Sequence, residues 1–161
     1  MLHGPSQRVG LGDDDREAWR AMEALVDAGR VPRLGISNVT AAQLDLLAEL
    51  ARIPPTFVQN RCYADRGWDR LVREACARHG YRYQAFSLLT ANRQVVGHRR
   101  LIALADLHRR TPAQIVFRFA LQLGLIPLTG TRDPLHMRED LAALTFELTA
   151  AEVATIEALG A

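Results

Sequence analysis

The chain has 161 residues, 48% apolar and 24% charged, with a formal net charge of +2. That composition is that of a soluble globular protein of about one domain. No apolar run approaches the roughly 18 residues a membrane span needs. Arginines alternate with acids along the predicted helices, so no basic stripe exists to track a nucleic acid. All 20 basic residues are arginine and lysine is absent. The first residues, MLHGPSQRVGLGDDD, have no apolar targeting core and turn acidic at once, which predicts a cytoplasmic protein. In that compartment Cys62 and Cys76 are expected as free thiols, and no metal-ligand set is singled out.

Residues 13–28 read as a helix, with acids in the first turn, Ala18, Ala21, Met22, Leu25 and Val26 as the apolar face, and Gly29 as the stop. The run Leu34-Gly35-Ile36 predicts a short strand ending in Ser37-Asn38. Thr40 and Gln43 then form a capping box for a helix with Leu44, Leu47, Ala48 and Ala51 inward. Pro54-Pro55 break the chain, 56–59 is a second strand, and 68–79 is a helix carrying Leu71, Val72, Ala75 and Cys76 on one face. Residues 81–86 form the next strand. Two helices follow over 99–110 and 111–123, the second opened by Thr111, Pro112 and Gln114 and closed by Gly124. A buried strand at 125–128, a helix from Asp133-Pro134, and a last helix capped by Thr149 and Glu152, with Val153, Ile156 and Leu159 inward, complete the chain.

This alternation predicts βαβ units and a parallel sheet, in either a doubly wound sheet or a (β/α)8 barrel, within a single domain over 1–161. In both architectures the loops after the strand ends line the ligand site. The polar residues there are His3-Gly4-Pro5-Ser6, Ser37-Asn38, Gln59-Asn60, Ser87 and Thr129-Gly130-Thr131. The last of these, a small-residue loop before a capped helix, would aim backbone amides and a helix dipole at an anion such as a phosphate.

Four segments, G-R-V-P-R-L-G-I-S-N (29–38), F-V-Q-N (57–60), A-F-S-L-L (85–89) and I-P-L-T-G-T (126–131), fall in order on successive predicted strand ends. In this order they resemble the aldo-keto reductases, from Leu2 to the end of the chain. The resemblance implies an α/β fold that is part of a (β/α)8 TIM barrel, roughly its last four βα units plus a C-terminal helix. It also implies NADPH or NADH as cofactor. Ser37, Asn38 and Gln59 match positions that hydrogen-bond the nicotinamide carboxamide. Phe86 matches an aromatic that stacks on the nicotinamide, usually tyrosine. Ser87, Leu88, Thr129, Gly130 and Thr131 match the pyrophosphate and adenosine side, and Glu139 and Asp140 match helix residues that meet the adenine. His136 falls near an arginine of the family, and Leu128 stands where the NADP-preferring pattern has lysine, so the residues favour neither cofactor form.

The family's carbonyl chemistry resembles general acid catalysis by a tyrosine assisted by lysine and aspartate, with a histidine orienting the substrate. His3 in H-G-P-S matches that histidine. Tyr63, Tyr81 and Tyr83 lie outside the catalytic tyrosine's motif, and there is no lysine to recruit. A whole barrel takes about 250 residues, so the chain is expected to be an N-terminally truncated portion with open sheet edges. Those edges would seek a complementing N-terminal half or a second copy. Two readings stay open: an NAD(P)H-dependent carbonyl reductase portion completed by a missing half, or an inactive relative that binds dinucleotide or a partner chain.

Overall fold

The computed structural model describes residues 1–160. Their packing divides into two compact units, Met1–Asn60 with Arg70–Gln84, and Arg61–Asp69 with the chain from Ala85 onward.

In the first unit, helix α1 (Asp13–Asp27) opens with three acids facing the positive end of its dipole, and Gly29 at φ +66° takes the left-handed conformation after its end. The inward face is not the apolar one read from the sequence. Asp15, Trp19 and Glu23, spaced four apart, are buried, whereas Ala21 and Leu25 are exposed and Ala18, Met22 and Val26 are half-buried. The acids go inward because backbone donors await them. Asp15 accepts from the Ser6 amide (2.8 Å), the Ser6 hydroxyl (3.0 Å) and the Gly12 amide (2.9 Å). Glu23 accepts from the Ile53 amide at 2.8 Å, and the Trp19 indole donates to the Ile53 carbonyl at 3.2 Å.

Strand β1 (Gly35–Ser37), helix α2 (Ala41–Leu50) and strand β2 (Phe57–Arg61) make a βαβ crossover. β1 and β2 pair in parallel with Gly35 opposite Phe57, Ile36 opposite Val58 and Ser37 opposite Gln59. Position 35 requires glycine, since a Cβ there would lie 2.9 Å from the Phe57 carbonyl oxygen. On the other side of β1, Leu2 forms a parallel bridge with Ile36: its amide donates to the Gly35 carbonyl (2.8 Å) and its carbonyl accepts from Ser37 (2.9 Å). The Thr40–Gln43 capping box forms as expected, with Leu44 and Leu47 buried and Ala48 and Ala51 half-buried.

α2 packs against α3 (Arg70–His79). α3 begins two residues later than expected because Trp68 and Asp69 both take φ +57°, which no right-handed helix accommodates. Val72, Ala75 and Cys76 point inward, but Leu71, at the flank of that stripe, is 68% exposed. Asp45 of α2 accepts from His79 at 2.7 Å and from Arg78 at 3.0 Å, and the His79 bond is the main cause holding its carboxyl below the usual range. Strand β3 (Arg82–Phe86) joins β2 through the Arg82 amide and the Thr56 carbonyl, 2.9 Å apart. The strand order is β1-β2-β3-β4, where β4 is Ile126–Pro127.

In the second unit, a 3-10 turn (Ala64–Arg66) and left-handed Gly67 lead to Trp68, whose fully buried ring meets Phe119 edge-on with centroids 4.8 Å apart. A short helix α4 (Arg93–Val96), too brief to show a period, precedes α5 (Arg99–His108) and α6 (Pro112–Gln122). α5 stops short of its expected end because Arg109 is left-handed. α6 buries Ile115, Val116, Phe117, Phe119 and Ala120, and Thr111 and Gln114 form its capping box. β4 is followed by the Leu128 amide donating to the Ala85 carbonyl at 2.8 Å. Helix α7 (Pro134–Ala142) buries no residue, and α8 (Ala150–Ala158), capped by Thr149 and Glu152, buries Ile156. Among the described residues no helix is long and apolar enough to cross a membrane.

Candidate functional site

The polar strand ends of the first unit come together around two carbonyls. The Gln59 carbonyl accepts from the Ser37 hydroxyl at 2.6 Å and from the Asn38 amide at 3.1 Å. The Asn38 side chain donates to the His3 carbonyl at 2.8 Å. Asn38 sits at φ +52°, a left-handed conformation that asparagine tolerates better than most residues, and this turns the chain from β1 towards α2. Ser37 is buried and Gln59 half-buried, and among the described residues the Gln59 side-chain amide has no hydrogen-bond partner. The backbone at His3 is pinned by this network while its side chain is exposed. Asp15 fixes the loop that follows through Ser6 and Gly12. Burial would raise the Asp15 pKa, but those three hydrogen bonds outweigh it and hold the carboxyl below its usual range.

Asn60, named in the sequence only as a strand-end neighbour of Gln59, is the brace of this region. Its amide oxygen accepts from the Val39 amide at 3.0 Å and its nitrogen donates to the Val39 carbonyl at 2.7 Å, both buried. The second unit holds an equivalent that sequence reading missed, Asn92. Fully buried, it accepts from the Ala64 amide (2.7 Å) and donates to the carbonyls of Cys62 and Leu88 (both 2.8 Å). Its only sequence signal is an asparagine in a turn, which ordinarily reads as solvent-facing.

Phe86 is half-buried at the end of β3, with its carbonyl accepting from the Cys62 amide at 3.2 Å. Ser87 follows at φ +58° and its carbonyl accepts from the Ala91 amide at 2.9 Å. The Leu88 side chain is buried in the core, so only its backbone is placed to meet a ligand. The Arg61 guanidinium lies over the Phe86 ring, 5.4 Å from its centroid; nothing in the sequence linked these two residues.

Past β4, the Thr129 hydroxyl donates to Asp140 at 2.9 Å, and the Glu139 carbonyl accepts from the Gln114 side chain at 2.9 Å. Gly130 has open space around it. The helix end that was expected to offer its amides to an anion is partly self-satisfied. Asp133 caps α7 by accepting from the Leu135 amide at 2.8 Å, Pro134 contributes no donor, and the Asp133 amide itself donates to the Thr131 hydroxyl at 3.1 Å. His136 is exposed, with Nδ1 3.8 Å from the Asp133 carboxylate.

Against known proteins, the sequence matches the profile of the Aldo/keto reductase family over residues 2–161. It is 31% identical to the uncharacterized oxidoreductase YtbE of Bacillus subtilis over 144 residues, covering 89% of this chain and 51% of that one. It is 30% identical to 2,5-diketo-D-gluconic acid reductase B of Corynebacterium over 161 residues, covering 99% of this chain and 56% of the other. The aldo/keto reductase of Brucella melitensis superposes with a TM-score of 0.87 at 25% identity, over 99% of this chain and 58% of that chain. A variant of Gox0644 in complex with NADPH does so with a TM-score of 0.82 at 31% identity, over 89% and 52%. The chain thus spans about half the length of these relatives, and its α/β fold with a parallel sheet corresponds to part of their (β/α)8 barrel. On the match over residues 2–161, the chain belongs to the aldo/keto reductase family.

Proposed function

We propose that these residues form the dinucleotide-binding portion of an NAD(P)H-dependent oxidoreductase. In this reading Ser37, Asn38 and Gln59 hold the nicotinamide carboxamide, and Phe86 stacks on the ring. Ser87, the Leu88 backbone, Thr129, Gly130 and Thr131 take the pyrophosphate and adenosine side, and Glu139, Asp140 and His136 lie towards the adenine. The observation that carries it is the Gln59 strand end: its backbone carbonyl is spent on Ser37 and Asn38, while its half-buried side-chain amide has no partner among the described residues and keeps both a donor and an acceptor for a carboxamide. The open space at Gly130 suits close approach of a diphosphate. When bound, the dinucleotide supplies the hydride for carbonyl reduction.

His3 is the one member of the family's catalytic set that these residues provide, in the role of orienting a carbonyl substrate. The acid function would come from outside the 161 residues, in a complementing N-terminal half or partner chain, with residues 1–161 acting as one cytoplasmic portion. A second reading, a relative that binds dinucleotide without turnover, is favoured by one observation: the sequence contains no lysine. Titration of the purified chain with NADPH and NADH, followed by protein fluorescence with size-exclusion chromatography alongside, tests the proposal. Saturable quenching supports it, and a well-folded chain that binds neither dinucleotide refutes it. Carbonyl turnover only on adding a complementing half selects the first reading, and no turnover with it selects the second.

A further inference from the structure

We propose that Arg61 is an oxyanion-binding, specificity-determining residue that recognises the carboxylate or phosphate of a small molecule meeting the Phe86 ring. The proposal rests on the reading of Phe86 as a ligand-stacking residue. The last residue of β2, Arg61 is exposed. Its guanidinium carbon lies 5.4 Å from the Phe86 centroid and 6.0 Å from that of Tyr63, and its Nη1 is 3.4 Å from the Tyr63 hydroxyl. Arg66 caps the Tyr63 ring at 5.0 Å. Two guanidiniums and two rings therefore form one cluster in the second unit.

The backbone beneath the cluster is fixed. The Cys62 amide donates to the Phe86 carbonyl, and Asn92 ties Cys62, Ala64 and Leu88 together. Among the described residues neither Arg61 nor Arg66 has a carboxylate within 4.0 Å, in contrast to Arg52, Arg78 and Arg118; other arginines are also without one, and what distinguishes Arg61 is the pair of rings beside it. A cation–π contact engages the face of a guanidinium, and with Nη1 at the Tyr63 hydroxyl the Nε–H and Nη2 edge of Arg61 is left to fork an oxyanion. An arginine set beside two rings with no acid next to it is therefore a candidate receptor: the Tyr63 and Phe86 rings flank its guanidinium, and forked hydrogen bonds to an oxyanion remain to be made.

The test observes the guanidinium directly. The labelled chain is titrated with benzoate and, separately, with inorganic phosphate while the arginine Nε–H resonances are followed by NMR, with Arg61→Gln giving the assignment. Arg61 is expected to shift saturably and the response to vanish in Arg61→Gln. Arg61→Lys, which keeps the charge and loses the fork, should bind about tenfold more weakly. A response to benzoate alone identifies a carboxylate ligand and a response to phosphate alone a phosphorylated one; both uphold the proposal. Linear, salt-like shifts with both anions, or unchanged affinity in Arg61→Lys, overturn it. NADPH quenching on the same samples reports separately on the dinucleotide reading. Its absence with benzoate binding intact removes that reading and leaves Arg61 an anion receptor, and the converse removes Arg61 alone.

Discussion

Asn60 and Asn92 are buried amides that spend both polar atoms on the backbone of neighbouring loops. Thr129, Thr131 and Asp133, by contrast, bond within their own loop or to α7, a helix with no buried residue. The first kind of region is built before any ligand arrives, because a buried carbonyl or amide that loses its partner costs about 1–3 kcal/mol. The second is held by exposed hydrogen bonds that water can replace. On the proposed reading, the strand ends assigned to the nicotinamide have the first arrangement and the loop assigned to the diphosphate has the second.

Removing the braces should break this contrast most severely. Asn92→Ala strands two carbonyls and an amide in a fully buried position and is expected to cost about 3–5 kcal/mol in chemical denaturation. Asn60→Ala, which strands the Val39 amide and carbonyl, should cost about 2–4 kcal/mol by the same measurement. Acid sharpens the contrast next. Burial raises the pKa of Asp15 and of Glu152, but hydrogen bonds from Ser6 and Gly12 in one case, and from Thr149 and His108 in the other, bring both below their ordinary values. The unfolded chain therefore takes up these protons first. The stability they contribute is present above about pH 4 and is lost as pH falls through the lower folded values, which a pH series of unfolding curves will show. Phe86→Ala should weaken NADPH binding roughly 2- to 10-fold in a quenching titration. Thr129→Val should change unfolding stability by less than about 0.5 kcal/mol, and a larger loss would mean that the loop is braced after all.

Much of this was legible from residue types alone. The capping boxes at Thr40, Thr111 and Thr149 and the strand ends at Ser37 and Phe86 are local signals, and they fall where the sequence placed them. The inward face of α1 was not legible, because apolar periodicity counts carbon and passes over acids such as Asp15 and Glu23 that loop amides solvate. The start of α3 was missed for a related reason: Trp68 and Asp69 are left-handed, and the Trp68 ring is buried against Phe119, a contact 51 residues along the chain that local sequence does not reveal. Asn92 and the Arg61–Phe86 stack likewise depend on tertiary neighbours that no spacing rule reveals.

Binding of a dinucleotide at the matched strand ends is best checked by amide NMR of the chain titrated with NADPH. Saturable shifts are expected at Ser37, Asn38, Gln59, Ser87, Leu88 and Thr129 to Thr131, with the amides of α2 and α3 unmoved. Shifts confined to other residues, or none in a folded chain, would contradict it.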